Sequence, residues 1–296
     1  MKGLANFVMS GRYRALLVAM ASSGSLLFCW IGAAVTALVT LRRGPAQGAW
    51  VFMWASLPAL VVTRMSGDTT PLALLAGTFV LAVILRLSVS LALAVLASAL
   101  VGIITGLLTL AFGGVMLEQL AAVFADFVRA LQEANSADGV TLLVPGVTQL
   151  AGMIGAANAA LSVLCLMLAR YWQAALYNPG GFASEFRELR YPVGVMASLV
   201  VGALALASMG LVYRSWSVNL LIPVSVIGFA LLHAWAAVKG RGSVWLTAMY
   251  AAWLLFDAAK LMLVGLAVVD AWVDFRRRWR GIDSDDRDDD MSGRDD

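Results

Sequence analysis

Long apolar blocks separated by short polar breaks occupy the chain from Leu16 to Trp272. Roughly 20 apolar helical residues cross about 30 Å of hydrocarbon, so each block of that length predicts a transmembrane helix. The first block, residues 15–41, lies between Arg12/Arg14 and the sequence Arg42-Arg43-Gly44-Pro45. The second, residues 49–63, is short and carries Pro58, which predicts a bent or broken helix. Residues 64–70 read as a turn. Residues 71–113 then form an apolar stretch interrupted only by Arg86. It is too long for one crossing and divides into two spans near that arginine, with Pro71 in the first helical turn. Further blocks cover residues 144–170, 193–213, 218–238 and 244–272. None of them alternates apolar and polar residues as a barrel strand does. The pattern therefore predicts an all-α, polytopic transmembrane helical bundle of about eight spans.

Two polar segments interrupt this pattern. Residues 116–139 set Leu117, Leu120, Ala121, Phe124, Phe127, Val128 and Leu131 at helical spacing, with Glu118, Asp126, Arg129, Gln132 and Glu133 between them. That spacing predicts an amphipathic helix lying at the interface or packed on the bundle. The segment is not basic, so packing on the chain's own helices is the simpler reading. Residues 171–192 open with Tyr171, Trp172 and Tyr177, an interfacial aromatic belt. They continue through the turn Asn178-Pro179-Gly180-Gly181 into a short charged helix that ends near Pro192.

Composition agrees with a membrane class: 61% of the residues are hydrophobic, 13% are charged, and the mean hydropathy is +0.85. A single soluble core of this length has no room for that much apolar surface. The net charge of +3 conceals an asymmetry. Residues 281–296 hold eight aspartates and two arginines, a tail too polar to bury a core, which reads as disordered. The rest of the chain carries 19 basic and 10 acidic residues. Basic residues gather in the N-terminal residues 1–14 and the juxtamembrane cluster 273–280, so both termini are expected on the cytoplasmic side of a bacterial inner membrane. An even number of spans agrees, yet Arg42/Arg43 and Lys239/Arg241 then fall on the wrong side. That conflict points to a broken or re-entrant span. The first block is longer than a signal-peptide core and lacks a convincing cleavage site, so it reads as a retained helix. Cys29 and Cys165 each sit in an apolar block, which predicts buried, reduced thiols.

Ionisable groups inside a bilayer are costly, so each needs a reason. Arg86 is either a turn residue reaching the headgroups or a contact for an anionic ligand. Asp257 and Lys260 share a helix face in the last span, as a neutralising pair or as a substrate contact. His233 (the only histidine), Asn158 and Asn219 lie in apolar blocks, where hydrogen bonding between helices is the plain role. Asp257, Lys260, His233, Asn158 and Arg86 are the candidate ligand-binding residues. Small residues four apart, Ala15/Ala19 and Ala33/Ala37 in the first span and Gly102/Gly106 in the fourth, permit close helix contact. They mark internal packing, a dimer or a partner helix. No P-loop, HExxH or Gly-x-Ser-x-Gly elbow occurs, which argues against an enzyme. One histidine excludes a multi-histidine metal or haem site, and no cofactor or nucleic acid is called for. The expected partners are the lipid bilayer and either another membrane protein or a second copy.

Two stretches, ARYWQAALYNPGGFASEFRELR (169–190) and GLAVVDAWVDFRRRW (265–279), resemble the proteobacterial branch of the YybS-like family of uncharacterised bacterial membrane proteins. Residues 231–250, LLHAWAAVKGRGSVWLTAMY, fit the same pattern. That family is distantly similar to the substrate-binding membrane components of energy-coupling factor transporters, which bind vitamins or metal ions and dock on a transmembrane coupling protein. Such components have about six spans and commonly dock through small residues four apart in the first helix, matching Ala15/Ala19 or Ala33/Ala37 here. The acidic tail is foreign to the pattern. The resemblance implies a transporter-like substrate-binding subunit. A scaffold or assembly factor, with residues 116–139, 178–192 and the basic C-terminus as partner surfaces, is the alternative from a different class.

Overall fold

The computed structural model describes residues 2–134 and 143–279. The acidic tail, Arg280 and the end of the amphipathic segment, residues 135–139, lie outside them. Among the described residues every regular element is a helix: α1 (Lys2–Met9), α2 (Arg12–Ser23), α3 (Cys29–Arg43), α4 (Pro45–Ser66), α5 (Thr70–Ser88), α6 (Leu91–Phe112), α7 (Gly114–Ala134), α8 (Val147–Tyr177), α9 (Gly181–Arg187), α10 (Val193–Ser208), α11 (Leu211–Val238), α12 (Ser243–Leu255) and α13 (Asp257–Val273). Five of these, α4, α5, α6, α8 and α11, are long and apolar enough to cross a membrane. A sixth crossing is possible if α12 and α13, bent by 115° at their junction, count as one broken span. The multi-pass helical class therefore holds, and the expectation of about eight spans gives way to five or six. The chain divides into two compact units, Met1–Phe182 with Gly202–Ile222, and Ala183–Val201 with Pro223–Asp296.

In the first unit, residues 15–41 do not form one span. Ser22 Oγ donates to the Val18 carbonyl at 2.6 Å, and α2 stops at Gly24. Hydroxyls that bond back onto their own helix compete with its continuation. Ser23 Oγ reaches across instead to the Ala55 carbonyl of α4, also at 2.6 Å. After a turn, α3 runs back beside α2, where a Cβ on Gly32 would lie 2.9 Å from the Ala19 carbonyl oxygen. At the open end Arg43 Nη2 donates to the Met9 carbonyl at 2.8 Å. The Arg12 guanidinium lies 3.8 Å from the centre of the Trp50 ring, and that of Arg42 lies 3.9 Å from that of Tyr177. The tip touches α4 at Ala55 and Pro58, and the stretch of α4 from Pro45 to Ala55 rises about 15 Å, half the hydrocarbon thickness. α2 and α3 thus form a hairpin of two helices, bringing Arg12, Arg42 and Arg43 to one end. Pro58 does not break α4, which is continuous from Pro45 to Ser66.

α6 and α8 approach most closely through small residues. A Cβ on Gly106 would meet the Ala151 carbonyl at 2.9 Å, and one on Gly102 would meet Ala159 Cβ at 2.9 Å. A Cβ on Gly155 would run into the Gly102 carbonyl, so the two backbones are nearly in contact. Ala15, Ala19, Ala33 and Ala37 are also buried within the unit's own packing. α7 lays Leu117, Leu120, Ala121 and Phe124 against Leu150, Ala151, Ile154 and Trp216, the amphipathic face the spacing predicts. Arg86 lies in the last turn of α5, whose C-cap Val89 turns with φ 54° into α6.

In the second unit the lower half of α11 carries a second hairpin. Phe229 stacks on Tyr250 with ring centres 4.8 Å apart and meets Trp253 edge-on, so α12 runs back along α11. The chain is extended at Phe256 and restarts as α13 at Asp257, a carboxylate placed in the first turn where it faces the positive end of the helix dipole. α13 then returns parallel to α11, with Leu263 against Gly228.

The first hairpin is open to direct test. Impermeant maleimide labelling of single cysteines should reach Ser10→Cys and Ala46→Cys from one face of the membrane and Ser66→Cys from the other; a continuous first span would separate the first two. The α6–α8 contact predicts that Gly102→Val costs about 1–3 kcal/mol by overpacking, measured as thermal unfolding in detergent. Gly265→Ala, with open space where its Cβ falls, should be neutral or gain up to about 1 kcal/mol.

Candidate functional site: an apolar cavity backed by Asn158

The α3–α4 connection sits at the arginine end of the first unit, so the end of α4, the start of α5 and the second half of α6 lie toward the opposite end. Between them is a cavity of about 480 Å³. Its walls are apolar, with Leu72, Ala76, Val80, Ile104, Leu108 and Phe112, and four threonines, Thr63, Thr69, Thr105 and Thr109, interrupt them. Two of those hydroxyls are spent on the backbone: Thr63 Oγ1 donates to the Ala59 and Asp68 carbonyls at 3.0 and 2.9 Å, and Thr109 Oγ1 to the Thr105 carbonyl at 2.8 Å. Thr105 Oγ1 accepts from Asn158 Nδ2 of α8 at 2.9 Å.

Asn158 is 2% exposed, and its Oδ1 has no hydrogen-bond partner. One turn along α8, Ser162 is fully buried and its Oγ is likewise unpaired. Gly77 lines the cavity and is the thin wall in front of both side chains, since a Cβ there would lie 2.7 Å from Ser162 Oγ and 3.5 Å from Asn158 Nδ2. A buried amide oxygen without a donor costs about 1–3 kcal/mol. The cavity reaches Asn158 through Thr105, which lines it and accepts from Asn158 Nδ2. Polar atoms few in number and convergent behind apolar walls are the usual make-up of a small-molecule site.

Of the five candidate ligand residues, Asn158 alone backs this cavity. Arg86 is exposed at the end of α5. His233 belongs to the second unit, where its Nε2 lies 2.8 Å from the Tyr250 hydroxyl and its ring meets Phe186 edge-on at 5.4 Å. Lys260 Nζ donates to Asp257 Oδ1 at 2.7 Å on an exposed surface of the second unit. Asn219 Nδ2 bridges to the Trp216 and Gly152 carbonyls at 3.2 and 3.4 Å. Sequence reasoning missed the threonines; the available signal was Thr105 and Thr109 one helical turn apart on an apolar helix.

The second unit holds a charged network that sequence reasoning also missed. Arg276 and Asp270 face each other at 3.6 Å with side chains only 6% and 4% exposed, and Asp270 Oδ1 accepts from the Phe275 amide at 3.0 Å. Arg190 pairs with Asp274 at 3.0 Å in a far more exposed setting. The two stretches singled out by resemblance, 169–190 and 265–279, thus meet at Arg190–Asp274. Cavities of about 450 and 220 Å³ flank the network. Burial pushes the phenol of neighbouring Tyr191 upward, so it stays neutral at physiological pH. Among the described residues no group of three His, Cys, Asp or Glu side chains is placed to hold a metal ion.

No protein-family model, curated protein or solved structure matches the chain. The functional reading therefore rests on geometry. The two ion pairs differ in a measurable way: Asp270→Ala should cost about 3 kcal/mol because it removes a buried carboxylate that faces a buried arginine. Asp274→Ala should cost less than about 1 kcal/mol, both read as thermal unfolding in detergent.

Proposed function

We propose that this is a bacterial inner-membrane protein that binds a small, mostly apolar molecule between α4, α5 and α6, as a transporter-like substrate-binding subunit. The observation that carries the reading is the 480 Å³ cavity with the unpartnered Asn158 Oδ1 behind it. Binding rather than catalysis fits a site without a nucleophile and base pair. Five helices, α4, α5, α6, α8 and α11, supply the crossings of this bundle. The α2–α3 hairpin also eases the charge conflict, because Arg42/Arg43 then join the basic N-terminus on the cytoplasmic side. The cavity then belongs to the opposite half of the membrane, where a molecule arriving from outside is captured.

The scaffold reading is favoured by one specific observation, the exposed Asp257–Lys260 pair on α13. The two readings separate on the cavity. Native mass spectrometry of the protein in lipid nanodiscs should show one bound small molecule per chain. Ala76→Phe, which fills the cavity, should abolish that adduct while shifting stability by less than about 1.5 kcal/mol. A wild-type protein without an adduct, or an adduct that survives Ala76→Phe, overturns the binding reading.

A further inference from the structure

Thr105 uses its hydroxyl differently from other threonines of the first unit. Thr36, Thr40, Thr63 and Thr109 each donate to the carbonyl four residues back, at 2.8–3.0 Å. Thr105 does not: its Oγ1 accepts from Asn158 Nδ2 at 2.9 Å, and its own proton has no acceptor among the described residues. The orientation of the amide follows from α5. The Ala73 carbonyl lies 3.5 Å from the same nitrogen, and an amide oxygen turned to that place would face another acceptor. Thr105 is 7% exposed, and it lines the cavity between α4, α5 and α6. A hydroxyl that accepts one hydrogen bond becomes a better donor of the next. The cavity therefore presents a buried O–H that is polarised from behind and unmatched in front. None of the residues lining the cavity is ionisable, and the Thr63 and Thr109 hydroxyls are already spent on the backbone. Thr69, the remaining threonine, sits at the start of α5 beside the exposed turn at Ser66 and Gly67, where water competes for it.

We propose that the molecule held in this cavity is neutral and carries a carbonyl oxygen (a ketone, ester or quinone on an apolar body), which the Thr105 hydroxyl receives. The inference rests on the binding reading above and narrows it to a substrate class. An unmatched buried donor is costly, and an acceptor recovers that cost. An incoming N–H would leave the Thr105 proton unmatched, and a plain hydrocarbon would fit the walls but do the same. A charged molecule would enter without a counter-charge, a cost that a hydrogen bond to one hydroxyl does not offset. Val80, Ile104, Leu108 and Phe112 line the cavity and are also exposed, so it opens between α5 and α6 to a molecule arriving from the bilayer. The ester of a bilayer lipid offers the same oxygen as a separate small molecule does, and the test separates these two sources.

The test uses the full-length chain in lipid nanodiscs and three naphthalene probes of similar shape, with equilibrium dialysis against empty nanodiscs as the readout. 1-Acetylnaphthalene carries the carbonyl, 1-ethylnaphthalene lacks it, and 1-(1-naphthyl)ethylamine is a cation at neutral pH. The wild type should hold the ketone about tenfold more tightly than the hydrocarbon, and the amine more weakly than either. Thr105→Val keeps the side-chain shape without the hydroxyl and should bring the ketone down to the hydrocarbon's affinity. Thr105→Ser should restore the difference. The carbonyl stretch of the bound ketone should move to lower frequency in the wild type and in Thr105→Ser, and stay at its value in lipid with Thr105→Val. A purely structural threonine does not produce that signature. Nanodiscs of ether-linked lipid, which has no ester carbonyl, separate the sources. Unchanged ketone affinity there supports a separate small molecule, and raised affinity supports an ester lipid as the natural occupant. Equal wild-type affinity for ketone and hydrocarbon, or a ketone preference that survives Thr105→Val, overturns the carbonyl inference and leaves the cavity a binding site. Failure of all three probes to bind overturns both readings.

Discussion

The near-contact of α6 and α8 at Gly102, Gly106 and Gly155 fixes the distances on which the first unit depends. Apolar side chains gain little by leaving lipid for a protein interior of the same polarity, so helices associate through close packing and hydrogen bonds. With no side chain on those three residues, the two backbones approach until carbonyl oxygens meet neighbouring backbone atoms. That approach is what lets Asn158 reach Thr105 across the gap. It also seats Trp216, whose Nε1 donates to the Thr148 carbonyl at 3.0 Å, against Gly106 and Gly152. One steric fact therefore places both the back of the cavity and the part of α11 that closes the unit.

Much of the helix pattern was legible in the sequence because a bilayer reads length and hydropathy directly. The break beside Arg86 and the amphipathic face of α7 were visible for the same reason. The count of spans was not, since apolar length alone does not distinguish one helix from two half-length helices. At the first hairpin Ser22, Ser23 and Gly24 gave a weak local signal, and the decisive bond, Ser23 to the Ala55 carbonyl, is made to a helix far along the chain. At the second hairpin the junction holds neither glycine nor proline. The chain turns at an extended Phe256, with only Asp257 hinting at a new helix start. The charge distribution carried part of the missing information in another form: the conflict at Arg42/Arg43 and Lys239/Arg241 already pointed to a broken or re-entrant span.

The polar groups divide by how their needs are met. His233 is held by neighbours inside the fold, and the Asp270–Arg276 pair is buried with its charges matched. Asn158 and Asn219 are half satisfied, each amide nitrogen bonded and each Oδ1 without a donor, and Asp257 pairs with Lys260 on the surface. Sequence position ranks these groups alike, as polar residues in apolar blocks. Only the packing around them separates structural glue from groups that still have bonding capacity facing outward.

The first hairpin bears on how the chain is made. Residues 15–41 are apolar enough to be read by the insertion machinery as a full crossing, which would leave Arg42 and Arg43 on the far side. The bond that holds the tip, from Ser23 to Ala55, needs α4, which leaves the ribosome later. Until α4 emerges, the N-terminal segment has no partner to define its depth. Its final topology is therefore set after synthesis of the segment itself, by docking onto a helix that follows it.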